Sequence, residues 1–332
     1  MTGSRLHIQP HSHDHQELAS EQAFLDNKLG NRTIWLALAS LLITALIQII
    51  IVLLSGSVAL LADTFHNVGD GLNSIPLLIA FYLARRIATR RYNYGFGKAE
   101  DIAGIVIVIS IVVSAGIIFW ESFQKLLNPQ PMTNMGWVAA AAIIGFAGNE
   151  LVAFYQIRVG RQIGSAALVT DGLHARADGL TSLAVLLAAA GSWLGFPAAD
   201  PIIGFTIGIA VLLVGRDALK RMWYRLMDAI EPELLAAAES AVHQQEGVKE
   251  LRRIRLRWVG HRIQADIAIA VTPNLSVVEG HEIAEQMRHA LFHSIPKLSE
   301  IAVHVDPWEM QTYTYHQLTD HHEAVPRAIQ NN

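Results

Sequence analysis

The sequence contains no cysteine. That excludes disulfides and thiolate ligands, so any metal held here is held by His, Asp, Glu, backbone or water. Charge is scarce as well: 16% of the 332 residues are charged, against 52% hydrophobic. This is too apolar for an ordinary soluble domain, and the mean hydropathy of +0.32 agrees. A net charge of −4 gives no electrostatic reason for a nucleic-acid partner. The apolar residues gather in long runs, which is the signature of membrane spans. The first run begins near Thr33 after a long polar lead, so it reads as a retained span rather than a cleaved leader.

Six apolar spans are expected, near Thr33–Leu54, Ser57–Leu83, Ala99–Leu127, Gly136–Ile157, Ser165–Leu194 and Pro201–Leu219. A second absence orients them. The loops Ser55–Gly56, Asn128–Met135 and Gly195–Asp200 contain no Lys or Arg. The alternate loops carry Arg85, Arg86, Arg90, Arg91 and Lys98, then Arg158 and Arg161, then Arg216, Lys220, Arg221 and Arg225. Positive charge stays on the cytoplasmic side, so both termini are expected there.

One phrase occurs twice. Gly56 to Ser74 reads GSVALLADTFHNVGDGLNS, and Gly164 to Ser182 reads GSAALVTDGLHARADGLTS. The shared core is D-x-x-H-x-x-x-D: Asp63, His66 and Asp70 in the first copy, Asp171, His174 and Asp178 in the second. Steps of three and four return to one face of a helix, so each copy sets carboxylate, imidazole and carboxylate in a row. The copies open spans two and five, which enter the membrane from opposite sides, so they are antiparallel and can form an inverted pair around one site. Ionisable groups at that depth are functional by default. Two imidazoles and two carboxylates match a tetrahedral Zn²⁺ site, and a dication offsets the desolvation of the aspartates. The bland alternative is interhelical hydrogen bonding; four matched groups in two rows weigh against it. Asp63 and Asp171, one turn away, have an access or structural role. Arg176 points off the row. It either pairs with Glu150 of span four inside the bundle or snorkels toward water.

The second half is polar enough to fold in water. Glu231–Gln245 reads as a helix with Pro232 in its first turn. Arg253–Trp258 and Ile263–Val271 alternate as strands around a turn at Gly260. Ser276 and Glu279 make a capping box for a helix through Phe292, and Ile301–Asp306 is a third strand. The order α-β-β-α-β describes a small antiparallel α+β sheet domain. His304 and Asp306 share a strand face, Asp266 lies on the neighbouring strand, His281 opens the second helix, and His261 sits at the hairpin. Two or three of these can hold a regulatory metal, or they form a solvated face. Domains are therefore expected at 1–31 (a disordered tail with His7, His11, His13 and His15, which either binds metal weakly or does nothing), 32–225 (membrane), 226–308 (cytoplasmic) and 309–332 (tail).

LLADTFHNVGD, ALVTDGLHARADG, the Tyr94–Glu100 junction, VVEGHEIAEQM and the terminal His304–Pro307 together resemble the cation diffusion facilitator family of metal/proton antiporters. The resemblance runs from Thr33 to Pro307. It implies six membrane helices, a ferredoxin-like cytoplasmic domain and a homodimer. It also implies alternating access driven by inward proton flow, and transport ligands at His66, Asp70, His174 and Asp178. That ligand set goes with zinc-preferring members. Co²⁺, Fe²⁺, Cd²⁺, Mn²⁺ or Ni²⁺ remain alternatives, since affinity order alone does not select among metals. The family's cytoplasmic metal sites fall on His281, His304 and Asp306, with Asp266 where some members have His. A loop site found in some members is expected to be missing, because Tyr92, Asn93, Tyr94 and Phe96 stand there. The expectation is a Zn²⁺/H⁺ antiporter of the bacterial inner membrane. Its partners are a divalent metal ion, protons, the bilayer and a second copy; nucleic acid is not among them. Two readings from other classes are weighed against it. A membrane metalloenzyme needs an open coordination position and a base that neither row supplies, and a metal sensor would bind without moving ions.

Overall fold

A computed structural model describes residues 12–55, 74–127, 134–196 and 199–308. The helices are α1 (Ser12–Ser55), α2 (Ile75–Ala84), α3 (Lys98–Leu127), α4 (Met135–Ile163), α5 (Ala166–Trp193), α6 (Ala199–Leu226), α7 (Pro232–His243) and α8 (Val277–Ser294). The strands are β1 (Val248–Val259), β2 (Arg262–Val271) and β3 (Leu298–Pro307). The chain divides into two compact units. Of the described residues, one unit holds those within Ser20–Ala229 together with the hairpin tip Trp258–Arg262; the other holds residues 12–19, Ile230–Arg257 and residues 263–308.

The helical unit is held by apolar helix faces. Ile34, Leu77, Phe81, Ile107, Ile111, Ile163, Leu168, Val211 and Met222 are buried together. The opposite faces expose Trp35, Leu46, Ile109, Trp120, Leu151 and Ile209, an apolar belt that suits a lipid surrounding better than water. Among the described residues, four helices are long and apolar enough to cross a membrane: Phe24–Ile51, Lys98–Leu127, Met135–Ile163 and Ala199–Leu226. The fifth expected span, α5, is a helix of 28 residues but is not one of those four; Asp171, His174, Arg176 and Asp178 dilute it. Of the second, only α2 lies among the described residues.

The polar lead differs from the expected disordered tail. From Ser12 onward it is helical and runs into the first span without a break. Glu17, Leu18, Ala19, Glu21, Gln22 and Ala23 favour helix, and no Gly or Pro intervenes between Pro10 and Gly30. His7 and His11, and residues 309–332, lie outside the described residues.

The joint between α4 and α5 explains the Gly-Ser that begins the second phrase. Gly164 takes φ +77°, a left-handed conformation that closes α4. Ser165 then caps α5, its hydroxyl accepting from the Leu168 amide at 3.1 Å. The two helices pack through small residues. A Cβ at Gly172 would lie 2.8 Å from Ile157 Cγ1 and 3.0 Å from the Ile157 backbone nitrogen, so the glycine is what permits the close approach.

In the sheet unit the strand order is β1-β2-β3. The tip between β1 and β2 is Gly260–His261, with Gly260 at φ +61°, the hairpin turn that places glycine first. Leu256 and Trp258 are buried in alternation with half-buried neighbours, as the period-two pattern predicts. One expectation is corrected. The sheet is not wholly antiparallel: β3 runs parallel to β2, with Ala265 beside Ile301 and Ala270 beside Asp306. The reason is connectivity, since α8 lies between these strands as a crossover, whereas an antiparallel neighbour needs only a tight turn. Ser276 caps α8 with the expected box: its hydroxyl accepts from the Glu279 amide, and the Glu279 carboxylate accepts from the Ser276 amide at 2.7 Å.

Candidate transport site

α5 carries the second copy of the phrase with nearly every side chain turned inward. Asp171, His174 and Asp178 are all buried. His174 Nε2 lies 3.9 Å from Asp178 Oδ2, one helical turn on. That is too long for a hydrogen bond between the two, and it sets both groups on one face of the helix. Asp171 is engaged elsewhere. Its Oδ2 accepts from Gln156 Nε2 of α4 at 2.6 Å and from Ser74 Oγ, just before α2, at 2.9 Å. So the carboxylate is committed to neighbouring elements, in keeping with a structural role for this residue. Ser74 is the last residue of the first phrase, and Asp171 stands near the start of the second. The bond therefore ties the two copies together. Asp63, His66 and Asp70 lie outside the described residues.

Arg176, two residues past His174, pairs with Glu150. Nε donates to Oε2 at 3.2 Å and Nη2 to Oε1 at 2.6 Å. The two-point geometry is the strong form of this ion pair, and it answers the alternative of snorkelling. Sequence reasoning did not find Gln156 as a partner of Asp171. A lone glutamine in an apolar span was the available signal.

The candidate metal ligands of the second half are not gathered. His304 Nε2 lies 2.8 Å from Asp306 Oδ1, but Asp266 faces Arg253 Nη2 at 3.4 Å, and His281 is exposed at the start of α8. Among the described residues no group of three or more His, Asp or Glu converges on a point a metal ion could occupy. His261 is corrected outright. It belongs to the helical unit, where its Nδ1 meets Glu100 Oε2 at 2.9 Å and its ring stacks on Phe81. The tight turn drives this placement, since a Cβ at Gly260 would sit 2.9 Å from the Gly97 carbonyl. Arg225 fixes the same turn, donating to the Gly260 carbonyl at 2.7 Å and the Gly164 carbonyl at 3.0 Å, with its guanidinium over Trp258. Lys98 bridges Asp228 at 2.9 Å nearby. The charges at the start of span three, read from sequence only as a positive loop, therefore hold a structural joint.

Comparison with known proteins shows the family. The model for the cation efflux transmembrane domain matches residues 34–227, and the model for the cation efflux protein cytoplasmic domain matches residues 230–308. The chain belongs to the cation efflux, or cation diffusion facilitator, family: a membrane transporter of divalent cations, not an enzyme. It is 49% identical over 300 residues to a probable cation efflux system protein of Mycobacterium tuberculosis, covering 90% of each chain. It is 28% identical to the magnetosome protein MamB of Paramagnetospirillum magneticum (82% of this chain, 93% of that one). It is 29% identical to the cation-efflux pump FieF of Serratia proteamaculans (82% and 90%). Among solved structures, a MamM-CTD chain matches at 30% identity over 23% of this chain and 96% of that one, with a TM-score of 0.23.

Proposed function

We propose that the protein exports Zn²⁺ from the cytoplasm in exchange for protons, gripping the ion with His66, Asp70, His174 and Asp178. The observation that carries this reading is the buried His174–Asp178 row on one face of α5, together with its repetition in sequence at His66 and Asp70. Two imidazoles and two aspartates supply four N and O donors, a complete tetrahedral set for zinc. The two carboxylates neutralise the dication where lipid offers no solvation. An imidazole must be neutral to bind metal, so protons compete directly with the ion. Proton uptake on the far side releases the cargo, and metal binding on the near side expels protons.

In this reading six helices span the bilayer, both termini are cytoplasmic, and the protein works as a homodimer in the bacterial inner membrane. The loop charges support the orientation. Asp171 positions α5 against Ser74 and Gln156 rather than binding the ion, and Asp63 is its counterpart in the other row. Of the cytoplasmic candidates only His304 and Asp306 come together, so a regulatory metal there would have to draw His281 or Asp266 in from elsewhere. The test is a metal panel in proteoliposomes with an imposed pH gradient. Zn²⁺ flux coupled to proton flux is expected for the wild type, and a broadened ranking including Cd²⁺ and Fe²⁺ for His66→Asp. Metal binding without flux would identify a sensor and overturn the proposal.

A further inference from the structure

We propose that the segment between α2 and α3 binds the headgroups of anionic phospholipids, so that the protein selects acidic over zwitterionic lipid at this end of the helical unit. Arg85, Arg86, Arg90 and Arg91 fall within seven residues, and no Asp or Glu stands between Asp70 and Glu100. All four are exposed, and among the described residues none is held in an ion pair. Glu100, the first acid to follow, is buried against His261. The rule that positive charge stays on one side of a membrane asks only for charge in the loop. It does not ask for four planar, forked donors so close together, and that fork is the shape that grips phosphate oxygens at two points.

The segment lies where the apolar helices stop. Arg85 stands over the Phe24 ring at 6.0 Å, and Phe24 opens the apolar stretch Phe24–Ile51. At the other end of the segment, Lys98 opens α3 and donates to the Arg225 carbonyl at 3.3 Å, beside the end of α6 at Leu226. Exposed rings mark the same level: Tyr82, 5.4 Å from the Arg86 guanidinium, then Tyr92, Tyr94, Trp223 and Tyr224, the last under Lys220. Amphipathic rings at the ends of apolar helices form the interfacial belt of a membrane protein. Ile87, 88% exposed among the arginines, adds an apolar anchor. The backbone is ordered as well. The Thr89 amide donates to the Tyr92 carbonyl at 3.1 Å and the Tyr92 amide to Thr89 Oγ1 at 3.1 Å, a turn with Arg90 and Arg91 at its tip. A basic cluster next to a span recognises acidic lipid by charge complementarity. The inference does not depend on which ion is exported.

The experiment exploits the absence of cysteine. In the full-length protein Asn93→Cys carries a fluorophore on the segment. The protein is reconstituted in phosphatidylcholine vesicles containing a small fraction of doxyl-labelled phosphatidylglycerol or doxyl-labelled phosphatidylcholine, and quenching reads which lipid stands beside the label. At equal fraction the acidic lipid is expected to quench about threefold more strongly at low ionic strength, and the excess to shrink in high salt. The variant with Arg85→Gln, Arg86→Gln, Arg90→Gln and Arg91→Gln together is expected to lose the excess, whereas Arg158→Gln with Arg161→Gln keeps it. If the quadruple variant lowers the thermal midpoint, Arg85→Gln with Arg86→Gln and Arg90→Gln with Arg91→Gln are read separately, each losing part of the excess. Equal quenching by the two lipids without these substitutions, or an excess that survives them, would overturn the proposal. So would loss of the excess to inorganic phosphate at matched ionic strength, the mark of a free-anion site.

Discussion

Among the described residues, two His–Asp pairs are built from the same groups and held in opposite ways. In α5, His174 and Asp178 are 3% and 9% exposed and stand 3.9 Å apart. In β3, His304 is 61% exposed and has closed onto Asp306 at 2.8 Å. The contrast shows what burial does to an identical pair. In β3 the imidazole reaches water, while Asp306, 13% exposed, takes that ring as a close partner. Inside the helical unit the two groups are kept on one face of α5, where a dication would offset the desolvation of the aspartate. Under the proposal, the buried pair holds the cargo and the β3 pair does not.

The largest effect expected from breaking this comparison is on flux. His174→Ala or Asp178→Asn should reduce Zn²⁺ transport in proteoliposomes at least a hundredfold. His304→Ala or Asp306→Asn should cost no more than a few-fold. Equal losses would mean that burial does not distinguish the pairs.

Next comes the packing that keeps the buried row in place. Gly172→Ala sets a methyl 3.0 Å from the Ile157 backbone nitrogen, where nothing flexible can yield. Overpacking of this kind costs about 1–3 kcal/mol, so the thermal midpoint in detergent should fall and transport with it. Glu150→Gln probes the charge just off the row. Removing the partner of Arg176 should cost about 1 kcal/mol at a pair so partly exposed, read as a small drop in midpoint. Unchanged stability and transport would show that Arg176 manages without Glu150.

The smallest effect belongs to the sheet unit. The Ser276 amide and hydroxyl hold the Glu279 carboxyl below the usual glutamate range. A group with a depressed native pKa stabilises above its unfolded value, about 4.3 for Glu, and the contribution fades as pH falls through the lowered value. The difference in unfolding midpoint between wild type and Glu279→Ala should therefore be full at pH 7 and vanish in strong acid. A difference independent of pH would assign the cap to something other than its charge.

Much of this was legible in the sequence, and the reasons are local. The Gly164–Ser165 break, the Ser276–Glu279 box and the inward row of α5 all follow from short-range rules: a left-handed cap, an N-cap oxygen, and steps of three and four. The Glu150–Arg176 pair was legible as one of two options because an unpaired charge in a span is costly. What was not legible depends on approach between distant segments. Nothing near His261 announces that its turn will lie against Glu100 and Phe81, and nothing near β3 announces a parallel neighbour until the crossover helix is counted. Asp171 was read as having an access or structural role, but its partners Ser74 and Gln156 could not be read because the contacts are made between separate elements.

The most direct measurement uses the cysteine-free background. Replacing His66→Cys and His174→Cys in one chain places one thiol on each row, and Hg²⁺ reports whether the rows meet. The account predicts a single Hg²⁺ per chain in the intact mass, bridging both thiols and protecting both from alkylation. Two Hg²⁺ per chain, or thiols alkylated independently of each other, would contradict it.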